Sequence, residues 1–115
     1  MRKRTMIGAA MALACAAAPG KASAEWLSGR DLLEKCESKK DIAFGICLGY
    51  IDAVVDMNEV GEAPAPPGGI RLPVGLDNGR LREIVVAFLR ANPAMLHYAG
   101  SDLVHAALSK AYPGE

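Results

Sequence analysis

The sequence predicts an all-α fold, a small four-helix bundle with a long Pro/Gly-rich loop between its second and third helices. Four separate stretches place apolar residues at i, i+3 and i+4, and almost none alternates with the period of two that marks a half-buried strand. The one long interruption, Gly61 to Gly79, holds Pro64, Pro66, Pro67, Pro73 and five glycines, a composition that continues neither a helix nor a central strand. With 115 residues the chain has room for a single core.

Residues 1–24 read as an address rather than as part of that core. Arg2, Lys3 and Arg4 precede the uncharged stretch Met6 to Ala18, a Pro-Gly break and Ala22-Ser23-Ala24. A basic start, a short apolar run and a small-x-small site describe a secretory signal peptide, cleaved after Ala24 to leave a domain of residues 25–115 in the periplasm. The alternative is a lipoprotein anchored through Cys15, although Leu13 stands where that motif prefers a small or β-branched residue.

Cleavage changes the charge and the cysteine count. The whole chain balances 13 Lys and Arg against 13 Asp and Glu, but the leader holds four of the basic residues and no acidic one. The mature domain then carries a net charge of about −4, which excludes the basic footprint of a nucleic-acid binder. No apolar run reaches the roughly 18 residues of a lasting transmembrane helix. Cys15 leaves as well, so Cys36 and Cys47 remain as an even pair in an oxidising compartment, where a disulfide is expected.

Each helix of the mature domain has a start or a stop. Ser28 and Asp31 resemble a capping box opening a short helix with Leu32, Leu33 and Cys36 on its apolar side. Ser38-Lys39-Lys40 makes a polar turn, and Asp41 caps a helix to about Asn58. In that second helix Ile42, Phe44, Ile46, Cys47, Leu48, Tyr50, Ile51, Val54, Val55 and Met57 cover most of the circumference, the pattern of a helix buried on most sides at the centre of a fold. Asp77 or Asn78 caps the third helix, carrying Leu81, Ile84, Val85, Phe88 and Leu89, and Pro93 ends it or begins a new turn. The last helix carries Leu96, Ala99, Leu103, Val104, Ala107, Leu108 and Ala111, and Pro113-Gly114 stops it.

Few residues offer chemistry. His97 and His105 stand eight positions apart, whereas two helical ligands sharing a metal stand three or four apart, so no metal or other cofactor is expected. Cys36 and Cys47 are too far apart in sequence for a Cys-x-x-Cys dithiol. Gly68-Gly69 lacks the strand and helix that flank a phosphate-binding loop. An enzyme is therefore not expected.

The second helix keeps one stripe free of large apolar residues. At 100° per residue, Asp41, Gly45, Gly49, Asp52, Asp56 and Glu59 lie within about 40° of one line. Two readings of the glycines stand: a neighbouring segment of the same chain approaches them closely, or another protein chain does. Two readings of the carboxylates stand as well, a solvated face or a site for a basic partner formed with the following loop. Asp56 and Glu59 lie near the helix C-terminus, where the macrodipole disfavours negative charge by some tenths of a kcal/mol.

Cys47-Leu48-Gly49-Tyr50-Ile51 resembles the Cys-x-Gly-Tyr signature of the Rap/Tai immunity proteins. The similarity continues through Pro73-Val74-Gly75, Leu81 to Leu89 with Asn92-Pro93, His97, and Ala106-Ala107-Leu108 to Ala111-Tyr112-Pro113. It implies a small exported α-helical protein that protects against a peptidoglycan amidase effector delivered by type VI secretion; a rigid stapled bundle with a protruding loop suits occlusion of the effector's active site, and the acidic residues at the root of that loop, Asp52, Asp56, Glu59 and Glu62, are the partner-binding candidates. It also implies a homodimer, for which the Gly45/Gly49 stripe and Val86 are candidate surfaces.

Two departures stand out. Arg71-Leu72-Pro73 replaces the family's Cys-x-Pro, and Pro113-Gly114 replaces its Pro-Cys, so both members of a second bridge are missing together. The loop and last helix are expected to be less tightly joined in consequence. The alternative function is a small periplasmic structural or accessory protein with the same scaffold and no toxin partner.

Overall fold

The computed structural model describes residues 26–58 and 69–114, so the leader with Cys15, the cleavage site and the loop segment 59–68 lie outside the described residues. The described chain forms four α-helices, α1 (Gly29–Cys36), α2 (Asp41–Asn58), α3 (Asn78–Ala91) and α4 (Gly100–Ala111), with a 3-10 turn at Pro93–Met95 and no strand.

Local chemistry sets the helix starts. Ser28 Oγ accepts from Asp31 N at 3.1 Å and Asp31 Oδ2 accepts from Ser28 N at 3.2 Å, the expected reciprocal box. Asp77 is the cap of α3, its Oδ1 accepting from Arg80 N at 2.8 Å. Asp41 is the first residue of α2 rather than its cap. The last helix starts later than its periodicity suggests: Leu96 and Ala99 precede α4, because Pro93 opens the intervening turn.

That intervening segment has a task. Gly29 N donates to Tyr98 O at 2.9 Å and Arg30 N to Leu96 O at 3.0 Å, satisfying amides that no carbonyl within α1 can reach, while Gly100 N donates to Leu27 O at 2.7 Å. Close approach is where glycine is needed. A Cβ on Gly29 would overlap Leu103 Cδ1 and come within 3.3 Å of the Leu96 backbone, and one on Gly100 would lie 3.1 Å from Tyr50 Oη.

The core is shared by all four helices and centred on the last two. Leu32 and Cys36 of α1, Cys47 and Ile51 of α2, Leu81, Val85 and Leu89 of α3, and Leu103, Val104 and Leu108 of α4 are buried, with Ile70 and Leu96 from the connections. Burial of each large aliphatic side chain contributes roughly 1.5–3 kcal/mol. The disulfide between Cys36 and Cys47, with Cα atoms 5.0 Å apart, joins α1 to α2 inside this core.

The expectation that the second helix is buried on most sides is corrected. Only Cys47 and Ile51 of α2 are fully buried, whereas Ile42 is 81%, Ile46 41% and Met57 77% exposed. Three helices cover one side of α2, and no further element among the described residues covers the other. Of the two readings of the glycine stripe, close approach by the same chain is not found among the described residues, where a Cβ on Gly45 or Gly49 would meet nothing within 4 Å.

The junction between the long loop and the C-terminus is closed without cysteines. Ile70 and Pro113 form an antiparallel bridge, with Arg71 N donating to Tyr112 O at 3.0 Å and Gly114 N to Gly69 O at 3.1 Å. Pro113 has no amide hydrogen, but both bonds are made by its neighbours. Main-chain pairing joins the two segments where the resemblance places the lost pair.

Candidate partner-binding site

The C-terminal half of α2, the turn after the long loop and the start of α3 meet at one cleft. The cleft, about 500 Å³, is bordered by Asp52 and Val55 of α2, the turn Leu72 to Leu76, and Asn78 and Leu81 of α3. Pro73-Val74-Gly75 makes the turn, with Gly75 at φ +85°, a conformation that glycine adopts without steric cost. Buried Ile70 and the bridge to Pro113 fix its near end. Val74 projects fully into solvent beside the cleft.

Of the four partner-binding candidates, the structure places two. Asp52 is partly exposed, and its Oδ2 accepts from Asn78 Nδ2 at 3.4 Å across the cleft. Asp56 is exposed one turn further along α2. Glu59 and Glu62 lie outside the described residues. The ion pairs among the described residues join Arg80 to Glu83 and Arg90 to Glu37, and none of these involves Asp52 or Asp56.

Sequence reasoning missed the apolar half of this site. The Leu72–Leu76 turn was legible as Pro-x-Gly turn chemistry, but the full exposure of Val74 at the cleft that Asp52 borders was not. Val86 as a homodimer surface is corrected, because it is only 8% exposed and belongs to the core.

The remaining polar groups make no reacting constellation among the described residues. His97 packs on Tyr98 with ring centroids 4.2 Å apart, and His105 Nδ1 lies 3.3 Å from Ser109 Oγ. No group of three His, Cys, Asp or Glu side chains there is placed to hold a metal ion. Among the described residues no helix is long and apolar enough to cross a membrane. What the cleft and its rim offer is a surface: two carboxylates, an amide and a projecting aliphatic turn on a cross-linked scaffold.

Comparison with curated proteins finds no match to the chain. Among protein families, the one described as Rap1a immunity proteins matches residues 28–114, the whole helical domain from the capping Ser28 to the Gly114 that closes the C-terminal bridge. The chain therefore belongs to the Rap1a family of immunity proteins, which bind rather than catalyse.

Proposed function

We propose that this protein neutralises a peptidoglycan-cleaving amidase effector of type VI secretion in the periplasm by binding over its active-site cleft. The observation that carries the reading is the family match across residues 28–114. In this reading residues 1–24 export the chain, cleavage follows Ala24, and two copies associate as a homodimer. Asp52 and Asp56 supply acidic contacts at the end of α2, Glu59 and Glu62, which follow in the sequence, are further candidates, and Val74 supplies an apolar contact. Rim carboxylates accelerate encounter with a basic surface and fix orientation more than they add affinity. The loss of the second cysteine pair does not oppose this, because the 69–71 and 112–114 backbone pairing holds the loop's end on the scaffold.

The test is periplasmic co-expression with an amidase encoded beside this gene. Protection from lysis together with co-purification is the expected result. Lysis that proceeds unchanged, with no complex, would leave the accessory-protein reading in its place.

A further inference from the structure

An asparagine loses its amide nitrogen without an enzyme when the backbone nitrogen of the next residue reaches its side-chain carbonyl carbon. The chain has asparagine at positions 58, 78 and 92, and the three differ in what surrounds that step. Asn92 precedes Pro93, whose nitrogen carries no hydrogen to give up, and its Nδ2 is held by Phe88 O at 2.8 Å. Asn58 Nδ2 is held by Val54 O at 3.0 Å, and Glu59 follows, a residue type whose Cβ hinders the approach. Asn78 precedes Gly79, which has no Cβ to hinder it. Both residues are exposed in the first turn of α3, and Asn78 Nδ2 reaches Asp52 Oδ2 over 3.4 Å, the longest of the three bonds. The Gly79 amide is one of the donors that no carbonyl within the helix can reach, and the capping Asp77 Oδ1 takes the Arg80 amide instead.

We propose that Asn78 is a site of spontaneous deamidation, which turns the amide side of the cleft into a second carboxylate opposite Asp52. Hydroxide takes the proton of Gly79 N, and the nitrogen attacks Asn78 Cγ. The Cγ–Nδ2 bond then breaks, and the departing nitrogen takes a proton from water and leaves as ammonia. Water opens either carbonyl of the resulting five-membered imide, leaving aspartate or isoaspartate at position 78. The ring needs a backbone geometry that a helical turn does not hold, so the reaction runs through fraying of the first turn of α3, which the Asp77 cap restrains. Both products end the hydrogen bond to Asp52, because the departing nitrogen was its donor. The new charge stands at a helix N-terminus, where the macrodipole favours an anion, so the aspartate form keeps α3. The isoaspartate form moves one methylene from the side chain into the main chain, lengthening the link between the Pro73-Val74-Gly75 turn and α3.

The site is tested without an effector. Mature oxidised protein, held at mildly alkaline pH and physiological temperature, is reduced and cleaved after Arg and Lys, which places Asn58, Asn78 and Asn92 in separate peptides. The peptide Leu72–Arg80 should gain one mass unit, in aspartate and isoaspartate forms, at least tenfold faster than the other two. Gly79→Ala should slow that gain at least tenfold with far-UV circular dichroism unchanged, and Asp77→Ala should hasten it by loosening the first turn. Equal rates at the three asparagines, a rate indifferent to Gly79→Ala, or conversion confined to urea-unfolded protein would overturn the proposal. The bearing of the new charge on partner encounter rests on the immunity reading and has its own readout. Asn78→Asp should raise the rate of effector association about twofold at low salt and leave it unchanged at high salt. An Asn78→Asp chain that associates no faster, where the parent chain binds, would overturn that consequence alone.

Discussion

The guanidinium of Arg82 lies over the Phe44 ring, 5.1 Å from its centroid, while its Nε donates to the Cys36 carbonyl at 2.9 Å. One side chain of α3 thereby holds the end of α1 and the first turn of α2, on either side of the disulfide. A cation at a helix C-terminus is favoured by the macrodipole, and the planar fork both bonds and stacks, which an ammonium does less well. Arg82→Ala is expected to lower stability by about 1–2 kcal/mol and Arg82→Lys to recover less than half of that, measured by urea unfolding.

The glycines divide into two classes with opposite responses to alanine. Gly29→Ala forces Leu103 or the Leu96 backbone to move and should cost about 1–3 kcal/mol. Gly45→Ala and Gly49→Ala add helix propensity in open space, and each should raise the stability of the dilute monomer by about 0.5–1 kcal/mol. Destabilisation at position 45 or 49 would mean that a close neighbour exists there after all.

Cys36 and Cys47 close a short loop inside the core. Replacing both by alanine should cost about 2–3 kcal/mol by loop closure, with a further loss where the buried sulfurs leave space. Thiol labelling of the unfolded, unreduced mature protein should find none, and two labelled cysteines would refute the bridge in the native protein.

Positions 69 and 114 lie opposite one another beside the Ile70–Pro113 bridge, with Gly114 N donating to Gly69 O at 3.1 Å. Gly69→Cys with Gly114→Cys should oxidise to a second disulfide and raise stability by up to about 4 kcal/mol, less any strain. Failure to close under mild oxidation would show that the two backbones do not hold this register in solution.

Charge reversal at Asp52 and Asp56 together tests the rim. Effector association should slow about tenfold at low salt, with the difference shrinking at high salt as screening sets in. Unchanged kinetics would assign both carboxylates to solvation.

The helix ends were legible because caps and breakers are local. Ser28 with Asp31, Asp77, and Pro93 announce themselves within four residues. Which side of α2 faces inward was not legible from periodicity, because apolar residues all around give no arc to prefer. The cysteines held the missing signal. A bridge from Cys47 to α1 turns that side of α2 inward, and Ile51 follows one turn on, which leaves Ile42, Gly49, Ala53 and Met57 on the opposite side. At the candidate site the carboxylates could be placed by helical angle. The apolar turn could not, since its position depends on the contact between Ile70 and Pro113, remote in sequence.

The clasp between residues 69–71 and 112–114 consists of amide and carbonyl groups, which nearly every residue type carries. It is consequently indifferent to redox conditions and tolerant of side-chain replacement, whereas a cysteine pair is undone by a reductant or by a single codon change. A chain closed in this way can assemble its loop junction before any oxidant is met, and its lineage can vary the residues at that junction one at a time.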